Sequence, residues 1–203
     1  MIIKSLKSSR NPNLIWLTFN NGNYLPISVD DIYKYSLKKG DSVDNQKLEL
    51  IFKLSFSFLL MEYALRQIAL SPKNEKTIKQ KLKIKYLFLH RKYHPPQLSI
   101  DEIINEIILS LKDKNLLDES VYVKSLLRRH SHKSSGYLKN LLISQGIDFP
   151  KYEHLINFSE DIDKIKKILP RLGTDQKAIL KLIRRGFSLK YIKKAIDDYQ
   201  NFR

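Results

Sequence analysis

Hydrophobic positions divide the chain into a short stretch of period two and a long stretch of helical period. Residues 1–27 read as β structure. In Leu14-Ile15-Trp16-Leu17-Thr18-Phe19, alternation puts Ile15, Leu17 and Phe19 on one face. Asn20-Asn21-Gly22-Asn23 follows, and Asn-Gly favours the left-handed dihedrals of a tight turn. Tyr24-Leu25-Pro26-Ile27 is then the return strand, and Pro26, which has no N–H for a ladder, predicts a sheet edge. Ser28 is the expected N-cap of a short helix over 29–37. Lys38-Lys39-Gly40-Asp41-Ser42 ends it.

From Asn45 onward the period is that of helices. Leu48, Ile51, Phe52, Ser55, Phe56, Leu59, Leu60, Tyr63 and Ala64 recur at three- and four-residue spacing. That helix should reach Leu70 and stop before Pro72, because the residue preceding proline avoids helical dihedrals. A second helix starts near Asn74 and carries Ile78 and Leu82. A third carries Ile103, Ile104, Ile107, Ile108 and Leu111. Asn115-Leu116-Leu117-Asp118 makes a turn, with Asp118 capping a helix that holds Tyr122, Val123, Leu126 and Leu127.

One motif then occurs twice, forty residues apart. Leu142-Ile143-Ser144-Gln145-Gly146-Ile147 precedes Tyr152 and Ile156; Leu182-Ile183-Arg184-Arg185-Gly186-Phe187 precedes Ile192 and Ile196. Each is a helix stopped by glycine, which takes positive φ without a Cβ clash, followed by another helix. The predicted fold is mainly α: three tandem three-helix repeats in an elongated, curved array, after a small N-terminal antiparallel hairpin or sheet. The segments are 1–44, 45–114 with an inserted loop near 86–98, 115–157 and 158–203. Each triplet is too small to bury much core alone, so stacking on a neighbour adds stability.

Composition narrows the function. The 203 residues carry 37 Lys+Arg against 21 Asp+Glu, a net charge of +16, which favours a polyanionic partner. No cysteine is present, so disulfides, thiolate zinc sites and thiol catalysis are excluded. Residues 1–10 hold no apolar leader core, and the run from Phe56 to Met61 is too short to span a bilayer. The expectation is a cytoplasmic protein without membrane contact.

Catalytic patterns are missing. His90 and His94 stand four apart but lack the glutamate of a zinc-protease helix and any third ligand, and Pro95-Pro96 ends the helix there. No G-x-x-x-x-G-K-[ST] or G-x-G-x-x-G loop occurs. The adjacent carboxylates Asp30-Asp31 and Asp197-Asp198 diverge by about 100° on a helix. We therefore expect neither an enzyme nor a cofactor.

The basic residues are more specific. Between Lys73 and Lys92 there are eight against one acid, Glu75; between Lys164 and Lys194 there are eleven against one, Asp175. Ala178, Ile179, Leu182 and Ile183 form an apolar stripe, opposite Lys177, Lys181, Arg184 and Arg185. In the last helix Lys190, Lys193 and Lys194 point outward while Ile192, Ala195, Ile196 and Tyr199 face in. Lys124, Arg128, Arg129, Lys133 and Lys139 follow one another without an intervening acid. No motif that reads bases is present, so a contact with nucleic acid would be sequence-tolerant and salt-sensitive.

In these segments the chain resembles the bacterial RecX family, over essentially its whole length. Leu37-Lys38-Lys39-Gly40-Asp41 with Val43-Asp44 is similar to the family's segment before the repeats. Tyr63-Ala64-Leu65-Arg66 through Ser71-Pro72-Lys73-Asn74-Glu75, Leu82-Lys83, and Leu116-Leu117-Asp118-Glu119 through Tyr122-Val123 resemble its successive helix signatures. Arg184-Arg185-Gly186-Phe187-Ser188, with Ile192 following, matches its closing RRGFS. Departures fall in the first triplet. Its Lys-rich helix lacks the following glycine and runs instead into Tyr86–Pro96, and Asn74 has Thr77 where a capping box has glutamate. Glu119 also stands where the turn usually has a second aspartate.

The resemblance implies a monomeric, non-enzymatic regulator of the recombinase RecA in DNA repair and recombination. It would bind along the recombinase–DNA filament and limit filament growth, ATP hydrolysis and strand exchange. The expected partner or DNA contacts are Lys124, Arg128, Arg129, Lys133, Lys177, Lys181, Arg184, Arg185, Lys190, Lys193 and Lys194. The alternative is a generic nucleic-acid-binding helical repeat protein with no recombinase partner.

Overall fold

A computed structural model describes residues 1–201. The chain separates into two compact units, Met1–Asp118 and the stretch from Glu119 onward. Among the described residues there are ten α-helices and one antiparallel sheet, which precedes all of them.

The first unit opens with β1 (Ile3–Ser8), β2 (Leu14–Phe19) and β3 (Tyr24–Ser28), in the order β1-β2-β3. Two of these strands follow directly from the alternation and the Asn-Gly turn. The third, β1, hides its period: its register on β2 shifts between Ile3 and Ser5, a bulge that sets its apolar residues Ile3 and Leu6 three apart. Pro26 lies on β3 at the sheet edge, as its missing N–H requires. Leu17 and Phe19 are buried and Ile15 partly so.

Ser28 caps α1 (Val29–Lys34), its hydroxyl accepting from the Asp31 N–H at 3.0 Å. The helix stops three residues short of the sequence expectation. Ser36 turns to φ 49° and the Leu37 N–H closes back on the Ile32 carbonyl at 3.0 Å, which buries Leu37.

Three long helices follow: α2 (Asn45–Leu70), α3 (Glu75–Tyr93) and α4 (Ile100–Asp113). Asp44 and Asn74 cap the first two through side-chain oxygens, so Asn74 works as a cap without the glutamate of a full box. At the end of α3, His94 takes the left-handed conformation that a glycine would otherwise supply, at φ 45°. The sheet and these helices share one core, in which Leu17, Phe19 and Leu25 join Phe56, Leu60, Leu82 and Ile103. Glu75 ties α3 to α4, its carboxylate 2.6 Å from Lys112 and 2.7 Å from Lys79; both ammonium groups hold it below the usual carboxylate range.

Within α2, the Ser55 hydroxyl is buried with no hydrogen-bond partner among the described residues. A buried unsatisfied hydroxyl costs about 1–3 kcal/mol, and alanine is the better helix former. Ser55→Ala is therefore expected to stabilise the protein by about 1 kcal/mol, read as a higher midpoint in urea denaturation.

The second unit holds two smaller cores. One is built on α5 (Glu119–Arg129), α6 (Ser135–Ser144) and α7 (Phe149–Tyr152), the last running into a 3₁₀ turn over Glu153–Leu155. The other is built on α8 (Glu160–Leu172), α9 (Gln176–Arg184) and α10 (Leu189–Asn201). The repeated glycines perform the predicted closure twice. The Gly146 and Gly186 N–H groups bond to the Ile143 and Ile183 carbonyls at 2.9 and 2.8 Å. Ile147 and Phe187 bond back to Leu142 and Leu182 at 3.0 and 3.2 Å. Both glycines have positive φ, 77° and 86°. This is the Schellman arrangement, with the apolar residue after each glycine folded onto the helix it terminates.

Candidate interaction surface

The basic residues picked from the sequence sit on three helices and one connection of the second unit. Lys124, Arg128 and Arg129 belong to α5, and Lys133 precedes α6. Lys177, Lys181 and Arg184 lie on α9, with Arg185 as its C-cap, and Lys190, Lys193 and Lys194 lie on α10. All eleven are exposed, while Leu182, Ile192, Ala195 and Ile196 of the same helices are buried. None of the eleven takes part in a salt bridge among the described residues. One apolar assignment is corrected: Ile183 does not join the stripe of Ala178 and Leu182 but is 42 % exposed. It sits about 100° around the helix from Leu182, beyond the edge of what α8 and α10 cover.

Local chemistry makes α9 a firm platform. The Asp175 carboxylate caps it, accepting from the Ala178 N–H at 2.8 Å, and Gly186 closes its other end. That closed end meets the start of α6. The Ser134 hydroxyl, the N-cap of α6, accepts from the Tyr137 N–H at 3.1 Å and donates to the Arg185 carbonyl at 2.6 Å. One hydroxyl thus satisfies an orphan donor of one helix and an orphan acceptor of the other. The backbones approach so closely that a Cβ on Gly136 would stand 2.3 Å from the Gly186 carbonyl oxygen.

From α8 comes the third element of this joint. Asp161, 1 % exposed, accepts from the Ser135 N–H through both carboxylate oxygens, at 3.0 and 3.1 Å, and from the Ser135 hydroxyl at 3.0 Å. The negative group stands at the N-terminus of α6, where the helix dipole favours it. Burial nevertheless pushes its carboxyl above the ordinary value, against the Ser135 hydrogen bonds and the Lys164 ammonium 4.0 Å away.

The joint brings three of the predicted residues into the neighbourhood of Tyr137. Arg184, Arg185 and Gly186 line an open pocket of about 320 Å³ with Tyr137, Asn140, Leu141 and Ser144 of α6. Lys133 holds its ammonium 5.7 Å from the Tyr137 ring centre, and the His130 ring stands 6.1 Å from the same ring. Lys177 and Lys181 continue the basic face of α9 along the helix from Arg184. No contact joins Lys190, Lys193 and Lys194 of α10, or Lys124 and Arg128 of α5, to this pocket among the described residues. Arg129 faces elsewhere: its charge acts on the buried Tyr122 phenol, whose proton affinity burial raises and Arg129 lowers.

Two guanidinium forks, an ammonium, an amide and an aromatic face suit an anionic group carried on a planar or extended partner. Tyr137 and Asn140 were not singled out from sequence. The signal was the spacing of Tyr137, Asn140, Leu141 and Ser144, which places four mixed side chains on one helical face. Among the described residues no three His, Cys, Asp or Glu side chains gather as metal ligands, and no helix is long and apolar enough to cross a membrane.

No protein-family model matches the chain. The "Regulatory protein RecX" of Streptococcus agalactiae is 26% identical to it over 98% of this chain and 78% of its own length. That of Clostridium botulinum is 24% identical, over 99% of this chain and 97% of its own. Among solved structures, a "Crystal structure of regulatory protein RecX" superposes with a TM-score of 0.67, covering 97% of this chain and 98% of its own at 18% identity. RecX from Lactobacillus salivarius superposes at 0.54 over 71% of this chain and 97% of its own, at 24% identity. These relatives are named as regulatory proteins and not as enzymes.

Proposed function

The chain is RecX-like in sequence and fold along nearly its whole length, and on that premise we propose that it is a non-enzymatic regulator of the RecA recombinase. It acts in the cytoplasm, as a monomer, on the recombinase–DNA filament. It restrains filament growth and with it ATP hydrolysis and strand exchange, so tuning DNA repair and recombination.

One observation carries the mode of action: Arg184 and Arg185, exposed at the glycine-closed end of α9, line one pocket with Tyr137. Such a surface complements an acidic protein face or the phosphates of filament DNA. Arg184, Arg185 and Lys133 make the central contact. Lys177 and Lys181 extend it along α9, and the basic faces of α5 and α10 supply longer-range attraction.

The test is single-stranded-DNA-dependent ATP hydrolysis by the cognate RecA, with this protein at substoichiometric ratios. We expect suppression at ratios too low to coat the DNA. Arg184→Glu with Arg185→Glu should raise the concentration needed for half-suppression about a hundredfold, since each lost charged contact costs roughly 1.5–3 kcal/mol. Unchanged suppression by that variant would move the contact off α9.

A second reading rests on the same pocket. Arginines beside a tyrosine also suit single-stranded DNA, whose bases stack on aromatic faces. Suppression only when the DNA is saturated, with tight and salt-sensitive binding to naked oligonucleotide, would favour that simpler binder.

A further inference from the structure

The outer face of α3 carries apolar side chains for which the first unit has no use. Ile84, Leu87 and Phe88 are 69, 55 and 58% exposed, while Ile78, Leu82, Tyr86 and Leu89 of the same helix are buried. The three stand at i, i+3 and i+4, so they form one contiguous ridge directly opposite the core face. Scattered single hydrophobes are ordinary on a surface, but a ridge of three large ones on one helix marks an interaction site.

The ridge has a basic frame. From Lys76 to Tyr93 the helix contains no acidic residue. Lys81 and Lys85 run along one edge and Arg91 follows the ridge one turn on. None of these three is in a salt bridge among the described residues, whereas Lys79 and Lys83, on the other edge of the helix, already pair with Glu75 and Asp101. The Lys85 ammonium lies 4.7 Å from the centre of the Phe88 ring, so charge and apolar surface belong to one patch.

The frame selects the occupant. A second copy of a chain with net charge +16 would bring lysines onto lysines. Single-stranded nucleic acid would find the charges but little to stack on, since Ile84 and Leu87 are aliphatic. The ridge rises only about 6 Å along the helix, too short for the long apolar face of a membrane-surface helix. Apolar anchors at i, i+3 and i+4 are what one helix offers another. We propose that the outer face of α3 docks an acidic amphipathic helix of a protein partner. Its apolar side seats on Ile84, Leu87 and Phe88, and its carboxylates reach Lys81, Lys85 and Arg91. This surface is separate from the Tyr137 pocket, and its test contains no recombinase, so either reading can fail without the other.

The probe is a fluorescein-labelled helical peptide with leucine at heptad positions a, d and e and glutamate elsewhere, titrated with the full chain by anisotropy. A triple variant, Ile84→Ser, Leu87→Ser and Phe88→Ser, changes no charge, so it separates the ridge from general attraction to a basic protein. We expect it to weaken binding at least about tenfold while the thermal transition stays in place, and Lys81→Glu with Lys85→Glu to weaken it similarly. A matched peptide with lysine for glutamate should not bind. Equal affinity of the triple variant and the parent overturns the proposal. So does loss of binding to phosphatidylserine vesicles or to oligo(dT) in the triple variant while the glutamate peptide is held unchanged.

Discussion

Gly136→Ala is expected to destabilise the second unit by about 3 kcal/mol, more than its half-buried position at the start of a helix would suggest. Gly136 needs no unusual backbone. What it lacks is room: the added methyl would lie 2.3 Å from the Gly186 carbonyl oxygen, a backbone atom that cannot rotate away. Either α6 lifts from α9 or the closing turn of α9 opens. Forced overpacking costs roughly 1–3 kcal/mol, and here the displacement also breaks the Ser134–Arg185 hydrogen bond, worth about 1 kcal/mol.

Two companion substitutions separate the causes. Gly173 has φ 83° and ψ −174°, a conformation almost reserved for glycine, but nothing within 4 Å of an added Cβ, so Gly173→Ala should cost only that backbone strain, about 1–3 kcal/mol. Gly186 combines φ 86° with contacts of 2.8 Å to the Ser134 hydroxyl and 2.9 Å to the Tyr137 nitrogen. Gly186→Ala should therefore cost at least as much as Gly136→Ala. The measurement is urea denaturation followed by circular dichroism, with hydrogen exchange at the start of α6. A Gly136→Ala penalty below about 1 kcal/mol would mean the helices do not meet this closely. Because the same contact places Arg184 and Arg185 beside Tyr137, the proposed suppression of RecA should weaken in parallel.

Asp161→Ala is the second large effect, expected to cost about 3 kcal/mol. The substitution strands the Ser135 N–H and hydroxyl, both buried, without an acceptor. A hydrogen bond to a charged group contributes about 1.5–3 kcal/mol, and an orphaned buried donor adds its own desolvation cost. Asp161→Asn keeps one acceptor oxygen and should recover part of the loss. The pH dependence has a definite sign. Burial raises the folded carboxyl above its ordinary value, so the folded chain holds the proton more tightly than the unfolded chain. Stability from this source is fully present below the ordinary carboxylate value and declines as pH rises through the raised one. The stability difference between the parent and Asp161→Ala should therefore narrow over that window. A difference that widened instead would place the carboxyl on the other side of its ordinary value.

Much of the architecture lay within reach of short-range rules. Apolar spacing marked α2 to α5, α9 and α10, because a helix buries one face and the period of that face is written in adjacent turns. Gly146 and Gly186 announced their closures because positive φ is a local demand. The outward basic residues of α5, α9 and α10 followed from the same periodicity, since a face opposite a buried stripe must meet solvent. Tertiary structure decided what no local rule contains. Residues 1–8 read only as part of a β stretch, because the bulge in β1 interrupts its alternation, and pairing with β2 defined the strand. Ile183 reads as core by spacing but lies outside the width its neighbours cover. Gly136 and Gly186 are fifty residues apart, and nothing in either segment states that their backbones touch. Asp161 looks like an ordinary acidic first-turn residue until α6 is laid over it and makes it a buried cap for another helix. Turns, caps and faces depend on neighbours within about four residues, which sequence order supplies. Which helix end abuts which depends on the packing of whole elements, and that alone brought the arginines of α9 to the tyrosine of α6.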